Sequence, residues 1–242
     1  MTCAHRFLDD LPAAARERLV TSLETVALPR GHALQSVGER PRYVYFVTQG
    51  LVSLLAMTPD GGSLELALVG CDGLIGLAVL LRSRAPTYQA VVQLAGTALR
   101  ARADAITTAL HDHAAVRDAC LQYADASLAD VAQSTVCHHF HPLLERLCRW
   151  LLTASDRARV DSLDVTHDTL AQVLGVPRPA ITAAAMDLHR AHAIRGSRGR
   201  IEIVNRQRLE HSACSCYAAT RDAFVLTPPP VAGRPLRIAS IR

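Results

Sequence analysis

The 242-residue chain has no lysine, so all 26 of its basic residues are arginines. Arginine stays charged at any physiological pH and grips phosphate or guanine through a planar guanidinium. The chain also has no apolar run of the roughly 18–20 uncharged residues that a membrane-spanning helix requires. Its first residues, MTCAHRFLDDLP, carry acidic side chains where a signal peptide has its apolar segment. These absences predict a cytoplasmic protein without a membrane partner.

The common catalytic patterns are missing as well. There is no Ser-His-Asp arrangement, no HExxH zinc motif and no glycine-rich phosphate loop ahead of a helix, so we expect no enzyme activity. The seven cysteines are odd in number and scattered through a chain without an export signal. This usage predicts free thiols rather than a disulfide framework.

Charge is distributed unevenly along the chain. Residues 1–155 contain 13 arginines and 14 acidic residues, whereas residues 156–242 contain 13 arginines and only 8 acidic residues. The second part therefore carries a net charge of +5 against −1 for the first. A basic C-terminal part is typical of proteins that bind nucleic acid, although solvated surface charge gives the same bias.

The hydrophobic periodicity changes twice along the chain. After an amphipathic helical pattern at 6–26, short β-rich runs extend to about 103, separated by Gln49-Gly50 and by the turn sequence PDGG at 59–62. Residues 104–139 then lack proline and glycine, which predicts one long helix. A stripe of mostly small residues at helical spacing indicates that this helix pairs with a copy of itself. The stripe comprises Val116, Ala119, Cys120, Tyr123, Ala126, Ser127, Asp130, Val131 and Ser134.

Residues 163–204 have the pattern of two short helices followed by a β-hairpin. Thr166 is a predicted N-cap and Gly175 provides the turn between the helices. The hairpin IRGSRGRIEIV has Gly196 and Gly199 at its tip. Residues 225–242 are proline-rich and are predicted to be disordered.

In this order of elements the chain resembles the Crp/Fnr superfamily of bacterial transcription regulators, over roughly residues 7–224. The stretches that carry the resemblance are VYFVTQGLVSL at 44–54, LERLCRWLL at 144–152 and LAQVLGVPRPAITAAAMDLHRAHAIRGSRGRIEI at 170–203. The resemblance implies an α+β fold with a β-roll (jelly-roll) sensor domain at 1–103, a dimerisation helix at 104–141 and a winged helix-turn-helix at 142–224. It also implies a homodimer on an inverted repeat of double-stranded DNA, with RNA polymerase as a further partner of an activator.

A helix over residues 178–191 would fit the major groove with its first turn at the base edges. We expect Arg178, Thr182, Ala180 and Ala183 to face outward, and Arg178 to bind guanine, with phosphate as the alternative. The best-known family members have glutamate and a second arginine where this chain has Pro179 and Ala183, so we expect fewer base contacts. Phosphate contacts are predicted for His189, Arg190, Arg195, Arg198 and Arg200, with a solvated basic hairpin as the alternative. Pro177 and Thr169 complete the predicted interface.

The resemblance also defines an effector pocket. Relatives that bind cyclic AMP use a Gly-Glu pair for the ribose and an Arg-Ser pair for the phosphate; aligned on Gly76, these positions are Leu77 and Tyr88-Gln89. A buried phosphate without a cation would cost several kcal/mol, so we do not expect cyclic AMP to bind. Arg82 and Arg84 are the alternative cations. Another effector or a purely structural roll both stay open, and the cofactor is unknown.

The cysteines and histidines of the chain are candidate metal ligands. An iron–sulfur cluster needs four thiolates, and the N-terminus offers Cys3 alone. Cys137 and His141 share a helix face, but two ligands do not close a tetrahedral zinc site, which Cys214 and Cys216 would have to complete. Buried thiols that act as small hydrophobes are the simpler interpretation, so no metal is assigned. A metal- or redox-sensing or other ligand-binding module, whose basic head binds another partner, is the alternative function.

Overall fold

The computed structural model describes residues 5–81, 85–197 and 199–221, and the predicted tail at 225–242 lies outside them. The N-terminal part is a β-roll flanked by short helices. The helical pattern predicted for 6–26 ends earlier, at Val20, because the chain enters the first strand at Glu24. The elements are α1 (Arg6–Asp9), α2 (Ala13–Val20), β1 (Glu24–Leu28), β2 (Ala33–Gln35), β3 (Tyr43–Met57), β4 (Ser63–Val69), β5 (Leu74–Ile75), α3 (Leu77–Leu80) and β6 (Gln89–Arg102).

The strands of the roll pair antiparallel in the order β1-β6-β3-β4, with β2 on β6 and β5 on β3. The prediction that Gln49-Gly50 separates two strands was wrong, because both residues lie within β3, a single strand of 15 residues. Gly50 adopts a φ of 87°, and a Cβ there would lie 2.5 Å from the carbonyl oxygen of Leu94 on β6. A glycine bulge therefore bends the strand without ending it. The second predicted turn, PDGG, does connect β3 and β4.

The segment predicted as one long helix is divided at His113. Helix α4 (Ala103–Asp112) ends there and α5 (Ala114–Phe140) begins, because His113 has an extended backbone (φ −127°, ψ 107°). The break allows both helices to pack on the roll. Ile106 of α4 and Val116 of α5 are buried in the same cluster as Phe46 of β3.

The stripe predicted for self-pairing on α5 instead faces the protein's own roll. Tyr123 is buried there, where its hydroxyl accepts a hydrogen bond from the Leu74 N–H (2.9 Å) and donates one to the Leu74 carbonyl (3.1 Å). The intramolecular burial of this stripe corrects the expectation that it forms a dimer seam. The large apolar side chains that α5 exposes lie on the opposite face and are Leu121, Leu128, Val136 and Phe140.

The C-terminal part is a small helical unit with a three-stranded sheet. Its strands lie in the order β7 (Ser162–Leu163), β9 (Arg200–Ile203) and β8 (Ile194–Ser197). Two local predictions are confirmed. Thr166 caps α7 by accepting a hydrogen bond from the Thr169 N–H (3.1 Å), and Gly175 ends the helix in the left-handed region (φ 64°). The elements are α6 (Leu143–Ala158), β7 (Ser162–Leu163), α7 (His167–Leu174), α8 (Arg178–Arg190), β8 (Ile194–Ser197), β9 (Arg200–Ile203), α9 (Arg206–Ser212) and α10 (Cys216–Arg221).

Buried polar contacts join the C-terminal unit to the roll. The Trp150 indole of α6 donates a hydrogen bond to the Glu65 carboxyl of β4 (2.8 Å), which also accepts one from Ser53. Arg157 of α6 is buried between Asp130 of α5 (3.2 Å) and Asp72 (3.3 Å). Within the described residues, no helix is both long and apolar enough to cross a membrane.

Candidate nucleic-acid interface

Helix α8 has one buried and one exposed face, as the sequence predicts. Ile181, Ala184, Ala185 and Leu188 are buried against the C-terminal core. On the other face Arg178 and Ala183 are exposed, and Ala180 and Thr182 are half-buried. Pro177 precedes the helix, and Pro179 lies in its first turn, where a missing N–H costs no helical hydrogen bond. The predicted reading residues therefore lie on the solvent-exposed tip of the helix.

Arg178 is oriented by the neighbouring helix. Its Nε lies 3.1 Å from Oδ1 of Asp168 in the first turn of α7, and both side chains are more than 60% exposed. Thr182 is hydrogen-bonded to the Arg178 carbonyl (3.2 Å) and to Nδ1 of His167 (3.1 Å). Exposed ion pairs add little to stability because water screens them. Arg178 can therefore exchange Asp168 for another acceptor at small cost.

The other predicted arginines have similar partners. Arg190 pairs with Asp187 (3.2 Å) at the far end of α8, near the exposed His189. On the hairpin, Arg195 pairs with Glu202 across the two strands. Each arginine of the predicted interface that lies in the described residues thus has a carboxylate within ion-pair distance. Arg198 lies outside the described residues.

Arg200 of the hairpin contacts the loop between β7 and α7. Its Nε donates a hydrogen bond to Asp164 at 2.7 Å, and this hydrogen bond lowers the pKa of the Asp164 carboxyl. Thr169, by contrast, is half-buried and part of the α7 capping turn. A groove separates α8 from the hairpin, and Arg200, Arg178 and Asp168 lie along its walls.

The groove also contains residues that the sequence did not predict as part of the interface. Among them are His167, Met186 and Ser197, which line the groove between α8 and the hairpin. Met186 is 49% exposed and follows Arg178 and Thr182 at intervals of four residues. This helical spacing was the available signal for Met186. His167 directly follows the N-cap Thr166, but no sequence pattern places Ser197 opposite the helix.

The predicted effector residues lie beside opposite ends of β3, since Gly76 adjoins Tyr43 and Val44 whereas Gln89 pairs with Leu55. Gly76 adopts a φ of 112° just before α3, where Leu77 packs against the apolar cluster of the roll. Tyr88 and Gln89 are half-buried at the start of β6, where Gln35 donates a hydrogen bond to the Tyr88 carbonyl (3.2 Å). Arg82 and Arg84 lie outside the described residues. None of the predicted pocket residues that the structure describes carries a charge.

The structure brings together the four candidate metal ligands. The ligand atoms of Cys137, His141, Cys214 and Cys216 all lie within 4.8 Å of one another. Cys137 is buried, as predicted, in a small cluster with Cys214 and Cys216, and its sulfur lies 3.4 Å from that of Cys214. The hydrogen bond with Cys214 lowers the pKa of the Cys137 thiol, whereas burial raises that of Cys148 to about 12.

Comparison with known protein families gives two matches, one in each part of the chain. Residues 25–113 match the cyclic nucleotide-binding domain, and residues 145–212 match the Crp-like helix-turn-helix domain. The second match contains α7, α8 and the hairpin, and so the whole groove described above. No curated protein matches the chain.

Solved structures with the same architecture cover about four fifths of the chain. FixK2 from Bradyrhizobium japonicum aligns with a TM-score of 0.69 and 17% identity, over 80% of this chain and 98% of its own. A Crp/Fnr-family transcriptional regulator from Eubacterium rectale aligns with a TM-score of 0.67 and 20% identity, over 84% and 95%. A CRP-family regulator from Thermus thermophilus aligns with a TM-score of 0.65 and 22% identity, over 78% and 96%. At these identities the likeness shows a shared fold.

Proposed function

Because the chain belongs to the Crp/Fnr superfamily of transcription regulators and has its helix-turn-helix DNA-binding domain, we propose that it binds an inverted repeat as a homodimer. The observation that carries this proposal is the exposed tip of α8 with Arg178 at its first position. The helix has the diameter that the major groove accepts, and Arg178 and Pro179 at its start are exposed.

Base readout by Arg178 is the sequence-specific part of the proposal. A bidentate contact to guanine O6 and N7 discriminates against other bases by about 1–3 kcal/mol. Ala180 and Ala183 offer no hydrogen bond, and Thr182 already has two partners. Arg190, Arg195, Arg198 and Arg200 contact phosphate and fix the register without reading sequence.

Dimerisation supplies the affinity that one modest reading helix lacks. The exposed apolar residues of α5, Leu121, Leu128, Val136 and Phe140, fall within a sector of about 120° of the helix circumference at 3.6 residues per turn. An exposed apolar stripe of this kind is typical of a helix that pairs with a copy of itself. A two-fold dimer would set its two α8 helices about 34 Å apart, one turn of DNA.

We further propose that cyclic AMP is not the effector. The positions that would hold its ribose and phosphate are the apolar Leu77 and the uncharged Tyr88 and Gln89. A buried cyclic phosphate needs a cation or several hydrogen-bond donors to offset its desolvation.

The test compares two arginines of the same helix. A preferred duplex is selected from a random pool, and the affinities for it and for a scrambled duplex are measured at constant salt. Arg178→Ala is expected to reduce the ratio of the two affinities by about 5- to 150-fold, the equivalent of 1–3 kcal/mol. The control Arg190→Ala is expected to weaken both affinities about equally. An unchanged ratio in Arg178→Ala would show that this side chain does not read bases.

A further inference from the structure

Two distant segments of the chain meet at the end of the long helix α5. Cys137 lies in its last turn, and His141 comes directly after the helix, just before Pro142 and α6. Cys214 lies between α9 and α10, and Cys216 is the first residue of α10, at the end of the C-terminal unit. Three thiols and one imidazole therefore converge from segments more than 70 residues apart, with all four ligand atoms within 4.8 Å of one another.

The separations are close to those of a tetrahedral zinc site. Zn–S bonds of about 2.3 Å and Zn–N bonds of about 2.0–2.1 Å place tetrahedral ligands about 3.8 Å (S to S) and about 3.5 Å (S to N) apart. The sulfurs of Cys137 and Cys214 are 3.4 Å apart, and Nδ1 of His141 is 3.5 Å from the Cys216 sulfur. The longest separation, 4.8 Å, exceeds the ideal edge by about 1 Å, which a side-chain adjustment can close.

We propose that Cys137, His141, Cys214 and Cys216 bind one zinc ion and thereby fasten the C-terminal helix α10 to the end of α5. Three thiolates and an imidazole form one of the ligand sets of closed structural zinc sites. The soft sulfur ligands favour zinc over magnesium, calcium or manganese.

The residues around the cluster would support such a site by excluding water, donating a hydrogen bond and balancing its charge. The three cysteines are at most 5% exposed, so water is largely excluded from the sulfur side. Gln133 Nε2 lies 2.9 Å from the Cys216 sulfur, to which it donates a hydrogen bond. Three thiolates and Zn²⁺ sum to a charge of −1, and the Arg149 guanidinium near Cys137 compensates it. Such outer contacts orient ligands and tune the affinity of metal sites.

A disulfide explains the cluster less well. An S–S bond, about 2.05 Å long, would join only two of the four residues, Cys137 and Cys214, whose sulfurs are 3.4 Å apart. The bond would also leave Cys216 and His141 without a role, although both converge on the same point.

The first experiment measures metal on the full-length chain. The protein is purified under anaerobic, reducing conditions, and its zinc content is determined by mass spectrometry. We expect one zinc per chain, and after replacement by cobalt we expect the intense visible bands of tetrahedral Co²⁺ with thiolate charge-transfer bands. A full-length chain that takes up neither metal, or that contains a Cys137–Cys214 disulfide under these conditions, overturns the proposal.

Variants then identify the ligands. Cys137→Ser, Cys214→Ser and Cys216→Ser are each expected to lose the zinc and the cobalt spectrum, whereas the control Cys120→Ala, a buried cysteine elsewhere on α5, keeps both. His141→Ala is expected to weaken binding and His141→Cys to restore it, because cysteine offers a fourth thiolate. His141 is only partly buried, so these two variants are expected to fold. Zinc retained in Cys216→Ser, or lost equally in Cys120→Ala, contradicts the assignment.

Discussion

Glu65 is expected to make the stability of this protein fall as the pH rises toward neutrality. Its carboxyl is fully buried between the roll and α6, and this burial raises its pKa from 4.5 to about 7, against the opposing effect of hydrogen bonds from Ser53 and Trp150. The test substitution is Glu65→Gln. The amide keeps an acceptor for Trp150 and can donate to Ser53, but it does not ionise.

The direction and size follow from proton binding. Between pH 4.5 and 7 the folded state retains the Glu65 proton while the unfolded state releases it. The contribution of the protonated Glu65 carboxyl to folding stability is therefore fully present below pH 4.5 and is lost as the pH rises through about 7. A pKa difference of about 2.5 corresponds to a loss of about 3 kcal/mol over this interval.

Trp150, the single tryptophan of the chain, provides the assay because its indole contacts the titrating carboxyl. Urea unfolding followed by its fluorescence is carried out at a series of pH values and constant protein concentration. The free energy of unfolding of the wild type minus that of Glu65→Gln should fall by about 3 kcal/mol from pH 4.5 to 8. Taking the difference cancels titrating groups that do not interact with Glu65, such as His5. A difference that does not change with pH would refute a raised pKa at Glu65.

Two further predictions concern the dimer and the effector. Leu128→Glu, which places a charge on the exposed stripe of α5, is expected to lower the mass in sedimentation equilibrium from dimer to monomer. Met57→Glu, which changes another exposed apolar residue at the end of β3, is the control. A dimer that persists in Leu128→Glu would place the interface elsewhere. Cyclic AMP is expected to leave the thermal unfolding temperature unchanged, because Leu77, Tyr88 and Gln89 provide no charge for its phosphate. A saturable rise at micromolar nucleotide would contradict this.

Local chemistry made several features predictable. The N-cap at Thr166, the turn at Gly175 and the PDGG turn each depend on residues a few positions apart. The two faces of α8 follow from the helical period alone, which is why Arg178 is found at the exposed tip as expected. In the same way the order of strands, long helical segment and winged unit could be read from changes of period along the chain.

Other features depended on partners distant in sequence. Gly50 bends β3 instead of ending it because β6 pairs with both halves of the strand. The stripe on α5 resembles a self-pairing surface, but the roll and α6 bury most of it, and the opposite face is left exposed. The carboxylates beside Arg178, Arg195 and Arg200 come from neighbouring segments, namely α7, β9 and the loop after β7.

The cysteine cluster separates the two kinds of information most clearly. From the sequence alone Cys137 and His141 were predicted to share one helix face, because residues four apart are neighbours on an α-helix. The structure corrects this: His141 lies just past the end of α5 with an extended backbone, although its N–H still donates a hydrogen bond to the Cys137 carbonyl. Only the tertiary structure brought Cys214 and Cys216 to the same point, since their position depends on how α6, α9 and α10 fold back against α5. Periodicity fixes the direction of a side chain relative to its own helix axis, whereas contacts between helices depend on the packing of the whole chain.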